Sequence, residues 1–259
     1  MIMNPDGGFV RLVDSMPREN LDSAIVQAAR VSYGAGTKKT SDDRSLIRYL
    51  MRHQHTTPFE MVEFKFHIKC PIYVARQWMR HRTASVNEVS ARYSEMSDDF
   101  MLTDEFRFQS RNNRQVSDDP FPYELNEQAK YIQSYSCFES YTAYQKLLKL
   151  GCGRELARTV LPVNLNTEFY WKINLHNLLH FLKLRMDVHA QKEIRDYAIM
   201  IWDIIEPMVP VTCEAFKDFR VGAITLTAPE LHAIMERRDT VPGISENVEF
   251  QEKKKRIFL

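Results

Sequence analysis

Apolar and polar residues alternate along two segments of the chain, and this alternation predicts β-strands. From Val62 to Cys70 every second residue is apolar, and charged residues and a histidine stand between them. A period of two is typical of a strand with one buried face. Residues 165–173 alternate in the same way, and a short apolar segment, Phe9–Val13, follows a pair of glycines and predicts a further strand.

Apolar residues at helical spacing predict helices between and after these strands. The predicted helices span residues 22–33, 42–53, 72–80, 123–150, 154–160, 175–186, 190–208 and 228–238. Ser41 is the expected N-cap of the second helix and Pro71 the expected start of the third, because both residue types suit the unpaired N–H groups at a helix start. Residues 110–120 predict a surface loop, and the sequence EKKKRIFL ends a tail that is predicted to be polar and solvated.

No linker or internal repeat divides the chain. We therefore predict a single α+β domain over residues 1–259, with a small, mainly antiparallel sheet packed by several helices, including long ones. Residues of about 9–210 form its expected core, and a C-terminal helix and the polar tail follow.

Charge and composition exclude several classes of protein. The chain has 35 Lys and Arg against 34 Asp and Glu, a formal net charge of +1, which argues against a general nucleic-acid binder. Its start lacks the basic and apolar pattern of a signal peptide, and no apolar stretch approaches the roughly 18 residues of a membrane helix. The four cysteines, Cys70, Cys137, Cys152 and Cys213, form no C-x-x-C pair, as in a reduced intracellular chain. We expect a cytoplasmic protein without membrane or nucleic-acid partners.

Arginines are concentrated in residues 76–93, RQWMRHRTASVNEVSARY. Several guanidinium groups close together repel one another unless an anion joins them, and each offers a planar pair of donors that matches phosphate. Asn87 and Glu88 add groups that suit the polar edge of a base. The alternative is a solvated helix end with scattered charges.

The same segment carries a family motif. Arg80-His81-Arg82, seven residues and then Ser90 resemble the RHR-x7-S signature of flavin-dependent thymidylate synthases. Further blocks of the family occur in the same order, at residues 55–60, 76–78, 87–93, 157–162, 181–185 and 189–195. Ordered blocks at compatible spacing are far more specific than one short motif. The resemblance covers roughly residues 9–210 and identifies the chain as similar to this family.

The resemblance implies the methylation of deoxyuridylate (dUMP) to thymidylate (dTMP). Methylenetetrahydrofolate would supply the carbon, NADPH-reduced FAD the electrons, and tetrahydrofolate would leave. The family also implies a homotetramer whose active sites are shared between subunits. The expected partners are therefore small molecules and further copies of the chain.

The resemblance further implies a nucleotide site. Its expected residues are Gln77, Arg80, Glu88, Ser90, Arg92, Arg158 and Arg185. Ser90 and Arg92 would hold the phosphate, and Arg185 would lie against the uracil, where a cation stabilises the charge that develops as C5 becomes nucleophilic. Arg185, His81 and Ser90 are the catalytic candidates.

The chain has no G-x-G-x-x-G loop, so the FAD pyrophosphate would contact side chains and helix ends instead. By similarity, the expected FAD residues are His55, Thr57, Arg80, His81, Arg82, Thr83, Glu88, Asn174, His176, His180 and His189. His81 is the candidate for contact with the flavin ring. His176 and His180 depart from the family pattern, in which many relatives carry Arg and Asn at these positions.

Other hypotheses stay open at this point. A cysteine is the usual nucleophile for uracil C6, but no cysteine lies in the arginine-rich segment, which argues against the cysteine-dependent thymidylate synthases. Ser90 could act as a nucleophile instead, provided that Glu88 or His81 served as its base. The spacing of His53 and His55 does not fit a helical metal site, so no metal is predicted. Aromatic residues between the arginines could stack nucleic-acid bases, although core packing explains them better.

Overall fold

The computed structural model describes residues 1–4, 7–33, 42–111 and 117–258. The strands are β1 Ile2–Met3, β2 Phe9–Met16, β3 Glu63–Pro71, β4 Ser85–Glu88, β5 Arg107–Gln109, β6 Ser117–Pro120 and β7 Asn166–Asn174. The α-helices are α1 Leu21–Arg30, α2 Asp43–Arg52, α3 Thr57–Glu60, α4 Ile72–Trp78, α5 Tyr123–Lys149, α6 Arg154–Ala157, α7 Leu175–Arg185, α8 Lys192–Ile205, α9 Pro210–Phe216, α10 Ala228–Met235 and α11 Ile244–Phe258.

The chain divides into two compact units, Met1–Phe216 and Lys217–Leu259. The assignment of the whole chain to one domain stays a prediction. None of the helices in the described ranges has the length and hydropathy of a membrane span.

The first unit contains a five-stranded sheet in the order β1-β2-β3-β7-β4, and every pair in it is antiparallel. The long strands β3 and β7 pair along their whole length, from Glu63 opposite Asn174 to Pro71 opposite Asn166. A separate two-stranded hairpin joins β5 and β6. The predicted α+β class with an antiparallel sheet is confirmed.

One face of the sheet is the apolar core that positions the arginine-rich segment. Phe66 of β3 and Trp171 of β7 are fully buried there, as the alternating pattern predicts. Trp78, the last residue of α4, packs against Trp171 at 5.3 Å and against Phe181 of α7 at 5.0 Å between ring centroids. Large aromatic contacts of this kind bury much apolar area, so they hold the ends of α4 and α7 beside each other.

Several predicted boundaries are wrong in detail. Helix α4 ends at Trp78, two residues before its predicted end at Arg80, because the N–H groups of Arg80 and His81 bond three residues back and form a tight turn. The predicted cap Ser41 lies outside the described residues, and the N-cap of α2 is Asp42, whose carboxylate accepts the N–H of Ser45 at 2.7 Å. Pro71 is the N-cap of α4, close to its predicted place at the helix start.

The predictions miss the strands β1, β4, β5 and β6 and the short helices α3 and α9. Within the segment predicted as a surface loop, residues 117–120 form β6. The arginine-rich segment contains β4, whose residues are all exposed and carry no apolar alternation, so its partner β7 supplies the pairing that the pattern lacks.

The second unit corrects the prediction of a polar tail, because residues 244–258 form α11. Phe250 of this helix is fully buried in a small cluster with Ala233 and Val241. Lys253 donates to both carboxylate oxygens of the buried Glu230 at 2.9 Å, so the basic stretch is partly engaged inside this unit.

Candidate active site

The turn after α4 and the C-terminal end of α7 meet at a hydrogen-bonded pair. Arg185, the last residue of α7, donates through Nε to Nε2 of His81 at 3.0 Å. Its Nη2 donates to the main-chain oxygen of Gln77 at 3.4 Å. The structure therefore brings together three of the predicted site residues, and the aromatic core beneath them fixes their spacing.

The pKa of His81 is lowered to about 4, first by burial and then by the positive charge of Arg185 and by His180. Burial also lowers the pKa of Arg185, which remains charged at neutral pH. A neutral imidazole that accepts at Nε2 must carry its proton on Nδ1. His81 therefore presents Nδ1–H as a donor, and Arg185 keeps further N–H groups for a ligand.

A pocket of about 350 Å³ opens beside this pair. It is lined by Arg80, His81, Arg82, Thr83, Ile173, Asn177, His180, Leu184 and Arg185. Six of these were predicted as site residues from the sequence, and Ile173 and Leu184 add apolar lining. Such a combination of convergent polar groups and apolar lining is typical of a small-molecule site.

Glu88 and Ser90 lie at the end of the edge strand β4. The Glu88 carboxylate accepts a hydrogen bond from the hydroxyl of Thr167 at 2.6 Å, which anchors it to the start of β7. Ser90 Oγ accepts from the main-chain N–H of Arg92 at 3.3 Å. In the described part of the chain, neither Glu88 nor His81 bonds to Ser90, so the structure offers the serine no base.

Arg92 and Arg158 both contact Glu155 of α6. Arg92 Nε lies 3.5 Å from the carboxylate, and the two side chains are 57% and 60% exposed. Arg158 donates through Nε to the main-chain oxygen of Glu155 at 3.4 Å. Arg92, the predicted phosphate ligand, and Arg158, a predicted residue of the nucleotide site, thus share a neighbour, and both are largely exposed to solvent.

The predicted FAD residues of α7 lie at its N-cap and along its first two turns. Asn174 is the N-cap, and its side-chain oxygen accepts the N–H of Asn177 at 2.9 Å. This capping role is a physical reason for an asparagine at that position, in addition to any contact with a ligand. His176 is half-buried in the first turn, and His180 is one turn later, with its ring 6.1 Å from that of His81.

Six predicted FAD residues do not line the pocket beside His81. Glu88, Asn174 and His176 have the contacts and positions described above, and the other three lie elsewhere. His55 and Thr57 line a second, larger pocket of about 840 Å³ between α1, α2 and α3. His189 lies in the segment between α7 and α8, where its Nδ1 is 2.8 Å from the carboxylate of Asp187. In a single chain the predicted cofactor residues are therefore divided among separate surfaces.

Sequence reasoning missed several residues that contact the predicted ones. Asn177 and Leu184 line the pocket, and Glu155 holds the two exposed arginines. Gln191 accepts a hydrogen bond from Gln77 Nε2 at 2.5 Å. Gln191 stands in a recognised sequence block, so that block was the available signal, but nothing in the sequence indicated its partner.

The cysteines lie away from this geometry. Cys70, Cys137 and Cys213 are buried, Cys152 is half-buried, and none of them lines the pocket. The arrangement as a whole can bind an anion through exposed guanidinium groups and can hold a planar polar ring against a fixed cation and a neutral imidazole.

The chain is similar to proteins of known family along most of its length. The family described as "Thymidylate synthase complementing protein" matches residues 11–211. A flavin-dependent thymidylate synthase of Dictyostelium discoideum is 53% identical over 98% of this chain and 86% of its own length. One from Thermus thermophilus is 54% identical over 88% of this chain and 83% of its own length.

Solved structures with the same fold include the UMP/dUMP methylase PolB from Streptomyces cacaoi. Its complex with 5-Br UMP has a TM-score of 0.73 and 35% identity, covering 82% of this chain and 94% of that one. Its complex with 5-Br dUMP has a TM-score of 0.74, again at 35% identity, covering 84% and 98%. Together with the family match and the close relatives, these likenesses show that the chain belongs to the flavin-dependent thymidylate synthase family.

Proposed function

We propose that this chain converts dUMP to dTMP, with methylenetetrahydrofolate as carbon donor and NADPH-reduced FAD as the source of electrons. The overall reaction balances as dUMP, methylenetetrahydrofolate, NADPH and one proton giving dTMP, tetrahydrofolate and NADP⁺. Membership of the family supports the reaction class. The single observation of geometry that carries the proposal is the Arg185–His81 pair at the wall of the pocket.

Arg185 is the proposed activator of the uracil. C5 of the uracil attacks the transferred carbon as a nucleophile, so negative charge must develop on the pyrimidine ring. A guanidinium held in place before substrate arrives stabilises that charge without reorganisation. The contacts with His81 and with the main-chain oxygen of Gln77 supply this fixed position.

Ser90, Arg92 and Arg158 are the proposed phosphate ligands, and Gln77, Arg80 and Glu88 complete the nucleotide site beside Arg185. Among the described residues, the charge of Arg92 is balanced by an exposed contact with Glu155. Such a surface ion pair contributes little stability, so a phosphate dianion can take the place of the Glu155 carboxylate at a small cost in free energy. Binding would draw the guanidinium groups together and orient the nucleotide for the reaction at its base.

FAD, when bound, supplies the electrons for reduction of the transferred carbon. The residues of the smaller pocket fit one end of it, because Arg82 and Thr83 provide donors for phosphate while Ile173 and Leu184 provide apolar contact for a ring. His55 and Thr57, in the larger pocket, are proposed to hold another part of the cofactor, and Asn174, His176, His180 and His189 are proposed as further contacts.

A homotetramer would explain why the predicted FAD residues lie on separate surfaces of one chain, because a site built from several subunits can bring such surfaces together. Helix α5 supports self-association: Tyr131, Ile132, Tyr135 and Phe138 are each at least half exposed on it. The first and third of these stack with their rings 6.1 Å apart. Large exposed apolar side chains close together on one helix support an interaction site there. We also propose that the enzyme works in the cytoplasm.

Anaerobic turnover tests the proposal directly. Purified protein would be incubated with NADPH, methylenetetrahydrofolate and dUMP, and flavin colour and dTMP would be followed together. We expect bleaching of the bound flavin by NADPH and one dTMP for each NADPH consumed. A parallel reaction with UMP tests selectivity for the deoxyribose. Colourless protein, or protein that bleaches without forming dTMP, would contradict the proposal.

A further inference from the structure

A chain of three side-chain hydrogen bonds joins the β5–β6 hairpin to the nucleotide site. Arg107 Nη2 donates to Glu193 Oε1 at 2.6 Å. Gln191 Nε2 donates to the other carboxylate oxygen at 2.7 Å, and Gln77 Nε2 donates to Gln191 Oε1 at 2.5 Å. These residues come from β5, the start of α8 and the end of α4, so tertiary structure alone brings them together.

The Arg107–Glu193 end of this series of hydrogen bonds imposes its direction. A guanidinium only donates and an ionised carboxylate only accepts, whereas an amide does both and can be turned over. Because Glu193 accepts, Gln191 must point its NH₂ group toward it and its oxygen toward Gln77. Gln77 must then donate, which leaves its own oxygen and its second N–H in a fixed orientation.

The carboxylate at the origin of the chain is well suited to this role. The side chains of Arg107 and Glu193 are only 17% and 14% exposed. Burial alone would raise the pKa of Glu193, but the hydrogen bonds from Arg107 and Gln191 outweigh it and lower that pKa. Glu193 is therefore ionised at neutral pH, and both of its oxygens act as acceptors.

We propose that Glu193 is a positioning residue that acts through Gln191 to fix the orientation of the Gln77 side chain toward the pyrimidine nucleotide. The inference rests on the proposed function, because it requires Gln77 to contact dUMP. It assigns to Glu193 and Gln191 a role in substrate binding without direct contact. Turning the Gln77 amide over would exchange the positions of its oxygen and its NH₂ group. A nucleotide atom that faced the acceptor would then face a donor, and one that faced the donor would face the acceptor.

The substitution Glu193→Gln tests this orientation. A glutamine at this position cannot accept from both Arg107 and Gln191, so the chain loses its direction while size and packing are kept. We expect the Kd for dUMP, measured by calorimetry on the FAD-loaded protein, to rise about tenfold. Gln191→Met, which removes the intermediate amide at a half-buried position, should have a similar effect.

A double-mutant cycle separates positioning from a purely structural role. In a Gln77→Ala background the orientation of residue 77 no longer matters, so adding Glu193→Gln should change the Kd by less than about twofold. The main-chain oxygen that Arg185 contacts is retained in this background. Asp196→Asn is the matched control, since Asp196 lies on the same helix and pairs only with the exposed Lys192 within the described residues.

The outcomes are distinct. Equal losses from Glu193→Gln in the presence and absence of the Gln77 side chain, or an equal loss from Asp196→Asn, would overturn the inference. So would an unchanged Kd in both Glu193→Gln and Gln191→Met. If the unaltered protein failed to bind dUMP at all, the proposed function itself would fail, which is a different result from a normal Kd in the variants.

Discussion

The two ends of the proposed nucleotide site are built in opposite ways. At one end Arg185 is bonded to His81 and to the main chain of Gln77, over a core of packed aromatic rings. At the other end the exposed side chains of Arg92 and Arg158 contact Glu155 through a long ion contact and a long hydrogen bond. The first end is in position before any ligand arrives, and the second is held loosely.

This difference fits the two tasks that a nucleotide sets. A phosphate dianion attracts a guanidinium over several ångströms, so its ligands need charge and reach more than rigidity. Charge that develops on a pyrimidine ring is stabilised only by a donor that is already aimed at it. Substitutions at the two ends should therefore change different kinetic constants.

The largest effect is expected from Arg185→Ala. Removal of the fixed cation should lower kcat for dTMP formation by roughly 100- to 1,000-fold. The protein should still fold and bind FAD, because the aromatic contacts of α7 are unaffected. Single-turnover measurement of dTMP on FAD-loaded protein checks the prediction.

Arg185→Lys is the matched control, since it keeps the charge but loses the planar pair of donors. It should recover only part of the rate. Near-normal turnover in the alanine variant would remove Arg185 from the catalytic residues and would leave the contrast between the two ends without support.

Arg92→Ala and Arg158→Ala should each raise the Kd for dUMP by about tenfold, with a smaller change in kcat. The loss should shrink as salt concentration increases, because exposed charges are screened. Calorimetric titration with dUMP and with deoxyuridine, which lacks the phosphate, is the decisive measurement. An equal loss with both ligands would contradict phosphate binding by these arginines.

The central strands and most of the pocket around Arg185 could be predicted from the sequence. The alternation in residues 62–70 and 165–173 predicts the two central strands, and both are present within one residue of their predicted limits. Arg80, His81, Arg82 and Arg185 were predicted together from family blocks, and all of them line one pocket. The strands could be predicted because alternation reports local structure, and the pocket residues could be predicted because motifs report shared ancestry.

The remaining features depend on contacts between distant segments. Strand β4 is exposed and has no alternation, so only its pairing with β7 reveals it. Glu193 and Arg107 are 86 residues apart in the chain, and no local pattern connects them. Helix α11 was missed because its polar surface outweighs its one fully buried residue, Phe250.

Ser90→Ala should have a smaller effect than loss of an arginine. As a phosphate ligand Ser90 contributes one neutral donor, so the Kd for dUMP should rise about three- to fivefold and kcat should hardly change. Steady-state kinetics separate these two constants. A large fall in kcat with unchanged binding would instead favour Ser90 as a nucleophile.

The pKa of His81 predicts a modest effect of acid. A pKa of about 4 in the folded protein lies below the ordinary value of 6.5, so the unfolded chain binds the proton more readily. The free energy of unfolding should therefore fall as pH decreases from 6.5 toward 4, and this part of the fall should be absent in His81→Gln. Denaturant titrations of both proteins measure it, and an NMR midpoint for His81 near 6.5 would contradict the burial of its ring.

The smallest effect on chemistry is expected from replacement of all four cysteines by alanine. Cys137 exchanges a weak hydrogen bond with Asn164 in the core, so the quadruple variant should lose some stability. Its dTMP formation, measured per bound FAD well below its melting temperature, should equal that of the unaltered protein, because no cysteine lines the pocket that holds Arg185. A stable, FAD-loaded variant without activity would require a thiol in the reaction, and the preformed cation could then no longer be the main source of uracil activation.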